Sequence, residues 1–247
     1  MDSRQYHTIT SRDLRILNPI SSKRLDQFLN LIELAEGSRV LDMACGKGEV
    51  LVRLAQRQDI HGVGVDLSSD FIAEARRQNR LRVSPRERLE FFAMPGEEYR
   101  AEEPFHLVIC MGASWIYGGF EGALIALEGF LRPGGLLVMG DCHWKSEPDP
   151  EYLEQAGYKK KTFGTCGQQV EGAGLHGLTP LYVQVSTEEE WDHYEWMRVR
   201  AAELHGMEQP DHEETGLLLD RARRGRDLYL KWGRHTLGWA LYLFIKN

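Results

Sequence analysis

Residues 39–50, Arg39-Val-Leu-Asp-Met-Ala-Cys-Gly-Lys-Gly-Glu-Val50, constrain the fold more than any other stretch of the chain. The apolar pair Val40-Leu41 ends in Asp42, a small-residue turn follows over Ala44–Gly48, and a helical pattern begins near Lys47. A strand running through a glycine turn into a helix gathers backbone N–H groups and a helix N-terminus around a ligand. Glycine suits positions where the main chain bends sharply or must lie against that ligand. A second strand, Ile60–Val65, ends in Asp66, twenty residues after Gly46. An acidic side chain there is placed to accept hydrogen bonds from the hydroxyls of a ribose. A dinucleotide fingerprint would need a third small residue where this chain has Leu51, so a pyrophosphate cofactor is disfavoured.

The pattern Val40-Leu-Asp-x-Ala-Cys-Gly-x-Gly48 resembles motif I of the class I S-adenosylmethionine-dependent methyltransferases. Further segments agree in order and spacing: Val63-Gly-Val-Asp66-Leu-Ser with the second motif, Phe105–Cys110 with the fourth strand, and Leu131-Arg-Pro-Gly-Gly135 before Leu136–Met139 with the entry to the fifth. The resemblance covers about residues 22–145, and Cys110–Gly119 is similar to a poorly characterised bacterial branch acting on small molecules. It implies an α/β fold: a seven-stranded, Rossmann-like methyltransferase sheet with helices on both faces. The cofactor implied is S-adenosylmethionine, with Asp42, Ala44, Gly46, Gly48, Asp66, Leu67 and Met111 expected around it. One departure stands out. Where many relatives carry an adenine-binding Asp, this chain reads Met94-Pro95-Gly96-Glu97, so Gly96 and Glu97 are expected to hold the base.

The chain's 247 residues suit one globular domain, or one domain with a small cap. A net charge of −7 works against a long nucleic-acid footprint, and no nucleic-acid partner is expected. The basic cluster Arg76, Arg77, Arg80, Arg82, Arg86 and Arg88 is the exception, read as a solvated face of a helix and its loop. Cys45, Cys110, Cys142 and Cys166 have neither zinc nor redox spacing. The first three follow strands and are expected near the cofactor. No metal site, signal peptide or membrane span is expected, and cytoplasmic residence with reduced thiols is the natural reading.

Residues 1–20 read as polar and irregular, a lid segment extending over about 1–21. Ser21 or Ser22 caps a helix whose apolar face is Leu25, Phe28, Leu29 and Ile32. Helices are expected over 47–57, 69–79 and 119–131, alternating with strands, which argues for a parallel sheet. Pro133-Gly134-Gly135 reads as a turn and Glu147–Pro150 as a loop. The half from 146 to 247 has a helical pattern over 162–174 and strands at Leu181–Val185 and Leu237–Ile245. Between these strands, helical patterns over 187–205 and 211–234 suggest a cap on the substrate side, because loops of this length are rarely structureless.

Methyl transfer from a sulfonium is an in-line displacement with an excellent leaving group. The protein must mainly align the acceptor and sometimes remove a proton. Trp115 and Tyr117, after the fourth strand, are candidates for acceptor binding, with packing beneath the cap as the competing role. After the fifth strand, His143 is the candidate general base, with a structural bond to a loop carbonyl as the competing role; Asp141 either orients it or binds a substrate amine, and Trp144 is a candidate substrate contact. Tyr117 is the third catalytic candidate. His7, Arg15 and Asn18 fit a lid over the cofactor. His193, Tyr194 and Trp196 can line the substrate pocket or pack the helix that carries them. The reading reached is a methyltransferase acting on a small soluble metabolite at nitrogen, oxygen or carbon. The alternatives are an RNA methyltransferase and a catalytically idle cofactor-binding regulator.

Overall fold

The glycine turn lies at the middle of one sheet. In a computed structural model describing residues 1–85 and 88–247, β1 (Ser38–Met43) pairs in parallel with both β2 (Ile60–Asp66) and β4 (Phe105–Met111). With β3 (Leu89–Ala93), β5 (Leu131–Trp144), β6 (Leu178–Val185) and β7 (Leu237–Lys246), the order is β3-β2-β1-β4-β5-β7-β6. β7 is antiparallel to both of its neighbours, and the other pairings are parallel. Val40, Leu41, Met43, Val108 and Ile109 are fully buried, as expected of parallel strands covered on both faces. The register sets Asp42, Asp66 and Met111 at adjoining carboxyl ends.

Helices α3 (Glu49–Arg57), α4 (Ser69–Arg82) and α5 (Phe120–Glu128) flank this half. The helix α2 (Ser22–Leu29) starts at Ser21, whose Oγ accepts from Arg24 N at 3.4 Å, and it buries Leu25, Phe28 and Leu29. Gly62 of β2 accommodates Leu51: a Cβ on that glycine would lie 3.1 Å from the Leu51 side chain. The close helix–strand approach is thus provided by the strand rather than by the helix.

The Pro133–Gly135 segment is not a separate turn. It lies inside β5 as a bulge, between Leu131 opposite Phe105 and Leu136 opposite Leu107, with Gly134 at φ 71°. Two expected irregular stretches are helical. Ser3–Thr10 forms α1, capped by Asp2, whose Oδ1 accepts from Gln5 N at 2.8 Å. Pro150–Ala156 forms α6, capped by Asp149 with proline in the first turn. The next helix, α7, is Cys166–Leu175.

The segment between β6 and β7 is helical: α8 (Glu188–Glu208), α9 (Thr215–Leu228) and a π-turn at Tyr229–Gly233. Thr187 and Glu190 form a capping box at the start of α8, and Glu190 also accepts from Ser21 N at 2.8 Å. Tyr6 of α1 packs with Ala202 of α8 and with Leu218 and Ala222 of α9. No helix among the described residues is long and apolar enough to cross a membrane.

The basic cluster is largely engaged within the protein. Arg77 pairs with Glu74, Arg82 with Glu49, and Arg88 with Asp59, while Arg76 donates to the Phe91 carbonyl. Arg80 is exposed, and Arg86 lies outside the described residues.

Candidate active site

The turn after β1 runs through three left-handed residues, Ala44 (φ 59°), Gly46 (φ 53°) and Gly48 (φ 71°). Ala44 and Gly46 line a cavity of about 590 Å³ at the carboxyl ends of the parallel strands. So do Asp42, Asp66, Leu67, Gly96, Glu97 and Met111, and Trp115 reaches it while remaining 73% exposed. Gly48 does not line the cavity. A Cβ there would lie 2.8 Å from both Ala75 and Phe91, so this glycine serves helix–sheet packing.

Asp66 braces the turn. Its carboxylate accepts from Gly46 N and from Ser68 N, each at 2.8 Å, and burial raises its pKa against those bonds. Asp42 is 2% exposed, and its Oδ2 has no hydrogen-bond partner among the described residues. Burial, with Asp66 adding to it, pushes the Asp42 carboxyl well above its ordinary range. A buried carboxyl lining a ligand-sized cavity suits a ligand bearing donors or a positive charge. Gly46 leaves the backbone of the turn open to it.

The N-terminal segment closes the opposite side. His7, Ser11, Arg15, Leu17 and Asn18 line the same cavity. Lys47 Nζ donates to the Ser11 and Leu14 carbonyls, each at 2.7 Å. The lysine therefore latches this segment to the turn rather than extending into solvent.

A second cavity of about 410 Å³ adjoins the first, and His7, Leu17, Asn18, Gly112 and Tyr194 line both. Its α8 wall carries Trp191, Tyr194, Glu195, Arg198 and Val199, one helical face. Arg221 of α9 and Tyr6 of α1 also border it. Burial, then Arg198 and Arg221, lower the His7 pKa to about 4, so its imidazole is neutral at physiological pH. Sequence reasoning missed Tyr6, Arg198 and Arg221. The signal available was the spacing of Trp191, Tyr194, Glu195 and Arg198 on one face, announced by the Thr187-x-x-Glu190 cap.

Other expected site residues lie elsewhere. His143 lines neither cavity: it sits within β5, and a Cβ on Gly238 of β7 would lie 2.4 Å from its Nε2. Its Nδ1 has no partner among the described residues, and burial lowers its pKa to about 4. β5 extends through Trp144, which carries His143 into the sheet rather than into a loop above it. Asp141 does not orient His143. It accepts from the Ser114 hydroxyl and from Cys142 N, and burial raises its pKa to about 6. Tyr117 packs beneath Gly96, and burial raises its pKa to about 12. Trp144 donates to the Lys160 carbonyl at 2.8 Å and packs edge-on against Phe163. Tyr117, Asp141, His143 and Trp144 thus line neither cavity. Cys45 lines the first cavity and Cys142 the second, whereas Cys110 is buried within β4. His193 and Trp196 line neither cavity.

Comparison with known proteins places this geometry. The methyltransferase domain family matches residues 40–135. The uncharacterised protein YjhP of Escherichia coli is 31% identical over 99% of both chains. A solved S-adenosylmethionine-dependent methyltransferase from Geobacter sulfurreducens, in complex with S-adenosylhomocysteine, superposes with a TM-score of 0.92 at 26% identity, covering 98% of each chain. A phosphoethanolamine N-methyltransferase of Triticum aestivum is 27% identical over 62% of this chain, which matches only 30% of that longer protein. The chain belongs to the class I S-adenosylmethionine-dependent methyltransferases.

Proposed function

We propose that this enzyme methylates a small metabolite bound in the second cavity. The observation that carries the reading is the pair of adjoining cavities, about 590 and 410 Å³, meeting at His7, Asn18, Gly112 and Tyr194. The second volume suits a metabolite-sized molecule. The wheat relative, named for phosphoethanolamine, supports a small acceptor. The largely internal bonding of Arg76, Arg77, Arg82 and Arg88 disfavours the RNA reading. The idle-regulator alternative is not retained for a member of this enzyme family.

The first cavity fits the cofactor. Asp42 and Gly46 would hold its amino-acid end, Asp66 and Leu67 the ribose, and Gly96 and Glu97 the base. When bound, S-adenosylmethionine supplies an activated methyl group and a neutral thioether leaving group. The remaining catalytic task is alignment. Arg15, Leu17 and Asn18 cover the cofactor side and exclude water, while the second cavity presents the acceptor atom at the junction. Neutral His7 can accept a hydrogen bond from an acceptor N–H or O–H at that junction.

The N-terminal segment and the helices of about 187–234 act as one closing unit on the core of about 22–145, within a single domain. The four free thiols suit a reducing cytoplasm.

Calorimetric titration with S-adenosylmethionine, with NAD as control, is the first test of the site. Incubation of the protein with methyl-labelled cofactor and a metabolite extract follows. Label appearing in a small product supports the proposal. Label confined to RNA, or to no product, would overturn the small-acceptor reading.

A further inference from the structure

We infer that the methyl acceptor carries an acidic group, a phosphate or a carboxylate, bound by Arg198 and Arg221. This rests on the second cavity being the acceptor site. Arg198 lies on α8 with its side chain 17% exposed. Its Nε is buried and has no hydrogen-bond partner among the described residues. Its ion-pair partner, Glu195, is 3.7 Å away, beyond hydrogen-bonding reach, and that carboxylate also accepts from Trp191 Nε1 at 3.2 Å. Arg221 on α9 lies 4.0 Å from the Tyr6 ring centroid, with a 3.4 Å contact to the Ser3 hydroxyl. Arg198 lies 5.3 Å from the Tyr194 ring centroid and 5.9 Å from that of Tyr6. The two guanidiniums thus converge on the aromatic rings of one cavity.

The charge balance there favours an anion. Arg226 also borders the cavity, but its Nε donates to Asp227 at 2.8 Å. Glu195 faces Arg198, and among the described residues Arg221 has no carboxylate partner of its own. His7 is neutral, and burial keeps the Tyr152, Tyr158 and Tyr194 hydroxyls protonated. The wall therefore presents hydrogen-bond donors and an excess positive charge. Arg221 is exposed, but the largely buried Arg198 guanidinium would ordinarily have acceptor oxygens within reach, and the planar fork of a guanidinium matches carboxylate and phosphate bidentately. A cationic acceptor would have only Glu195 to face and two arginines to repel it.

The test titrates wild-type protein preloaded with S-adenosylhomocysteine with ethyl phosphate, propionate and propan-1-ol. Binding of either acid and not of the alcohol is expected. Preference between the two acids distinguishes phosphate from carboxylate. Arg198→Gln should weaken the bound acid by about 30-fold or more, the scale for losing one partner of a buried charge pair. Its affinity for S-adenosylhomocysteine should be unchanged, which also reports that the variant is folded. Arg198→Lys should recover part of the loss, and Arg221→Gln should show a smaller one. Equal binding of alcohol and acids, or acid binding indifferent to both glutamine variants, overturns the inference. Failure of the wild type to bind S-adenosylhomocysteine would instead count against the cofactor site itself.

Discussion

Lys47 Nζ lies 2.7 Å from the carbonyl oxygen of Ser11. It lies equally close to that of Leu14, so one ammonium gathers the chain just after α1. The latch spans the glycine turn and the N-terminal segment, and both line the cofactor cavity. Lys47→Met keeps the stem and removes the charge. It should weaken cofactor affinity by about 1–2 kcal/mol, part of the value of hydrogen bonds to a charged group. Trypsin should also cleave earlier at Arg12 or Arg15. Calorimetry and limited proteolysis read the two effects, and wild-type behaviour in both would show that the latch is idle.

Asp66 joins the glycine turn to the start of α4 through the Gly46 and Ser68 amides. Asp66→Ala loses these bonds together with any bond to the cofactor. Binding of S-adenosylhomocysteine should weaken by about 1.5–3 kcal/mol. Asp66→Asn, which can still accept from one amide, should fall in between. Unchanged calorimetric affinity in the alanine variant would remove Asp66 from the site.

Asp141 and His143 make opposite demands on pH. The Asp141 pKa is raised from 3.8 to about 6, so its contribution to stability is complete below pH 3.8 and is lost as pH rises through about 6. The His143 pKa is lowered from 6.5 to about 4, so its contribution is present above pH 6.5 and is lost as pH falls through about 4. Asp141→Asn should therefore raise the melting temperature at neutral pH, by up to roughly 3 kcal/mol of stability. His143→Gln should flatten the acid limb of the stability curve. Because His143 lines neither cavity, that variant should keep the pH profile of turnover. A displaced profile would restore His143 as a base.

The strand–turn–helix, the ends of β1, β2 and β4, and the helical insert were legible because periodicity and glycine placement are local properties. The start of α1 was also written locally, in Asp2 and Gln5, and that of α6 in Asp149-Pro150, yet the polar composition around them obscured both. The length of β5 was not legible: pairing with β7 carries the strand on to Trp144, and no local pattern marks how far a partner strand extends. His143 was therefore placed one layer too high. Arg198 and Arg221 come together only through the packing of α8 and α9 against α1, which no single segment encodes.

Glu49, at the start of α3, is a buried acid held between two arginines. Its side chain is 4% exposed and faces Arg53 at 2.7 Å and Arg82 at 2.5 Å. Burial opposes its ionisation, but the bonds from Arg82 and Arg53 outweigh it and hold the carboxyl below its ordinary range. Removing one partner of a buried pair costs about 3–5 kcal/mol. Here Arg53 also reaches Asp26, and Arg82 also reaches Gln56 and Gln78. Glu49→Gln should therefore cost less, about 2–3 kcal/mol, lowering the melting temperature by about 5–10 °C. A depressed carboxyl stabilises above its unfolded pKa of 4.5 and loses that contribution as pH falls, so the gap between variant and wild type should narrow in acid. Thermal melts across that range provide the check, and a gap that stays constant into acid would mean that Glu49 acts through packing rather than charge.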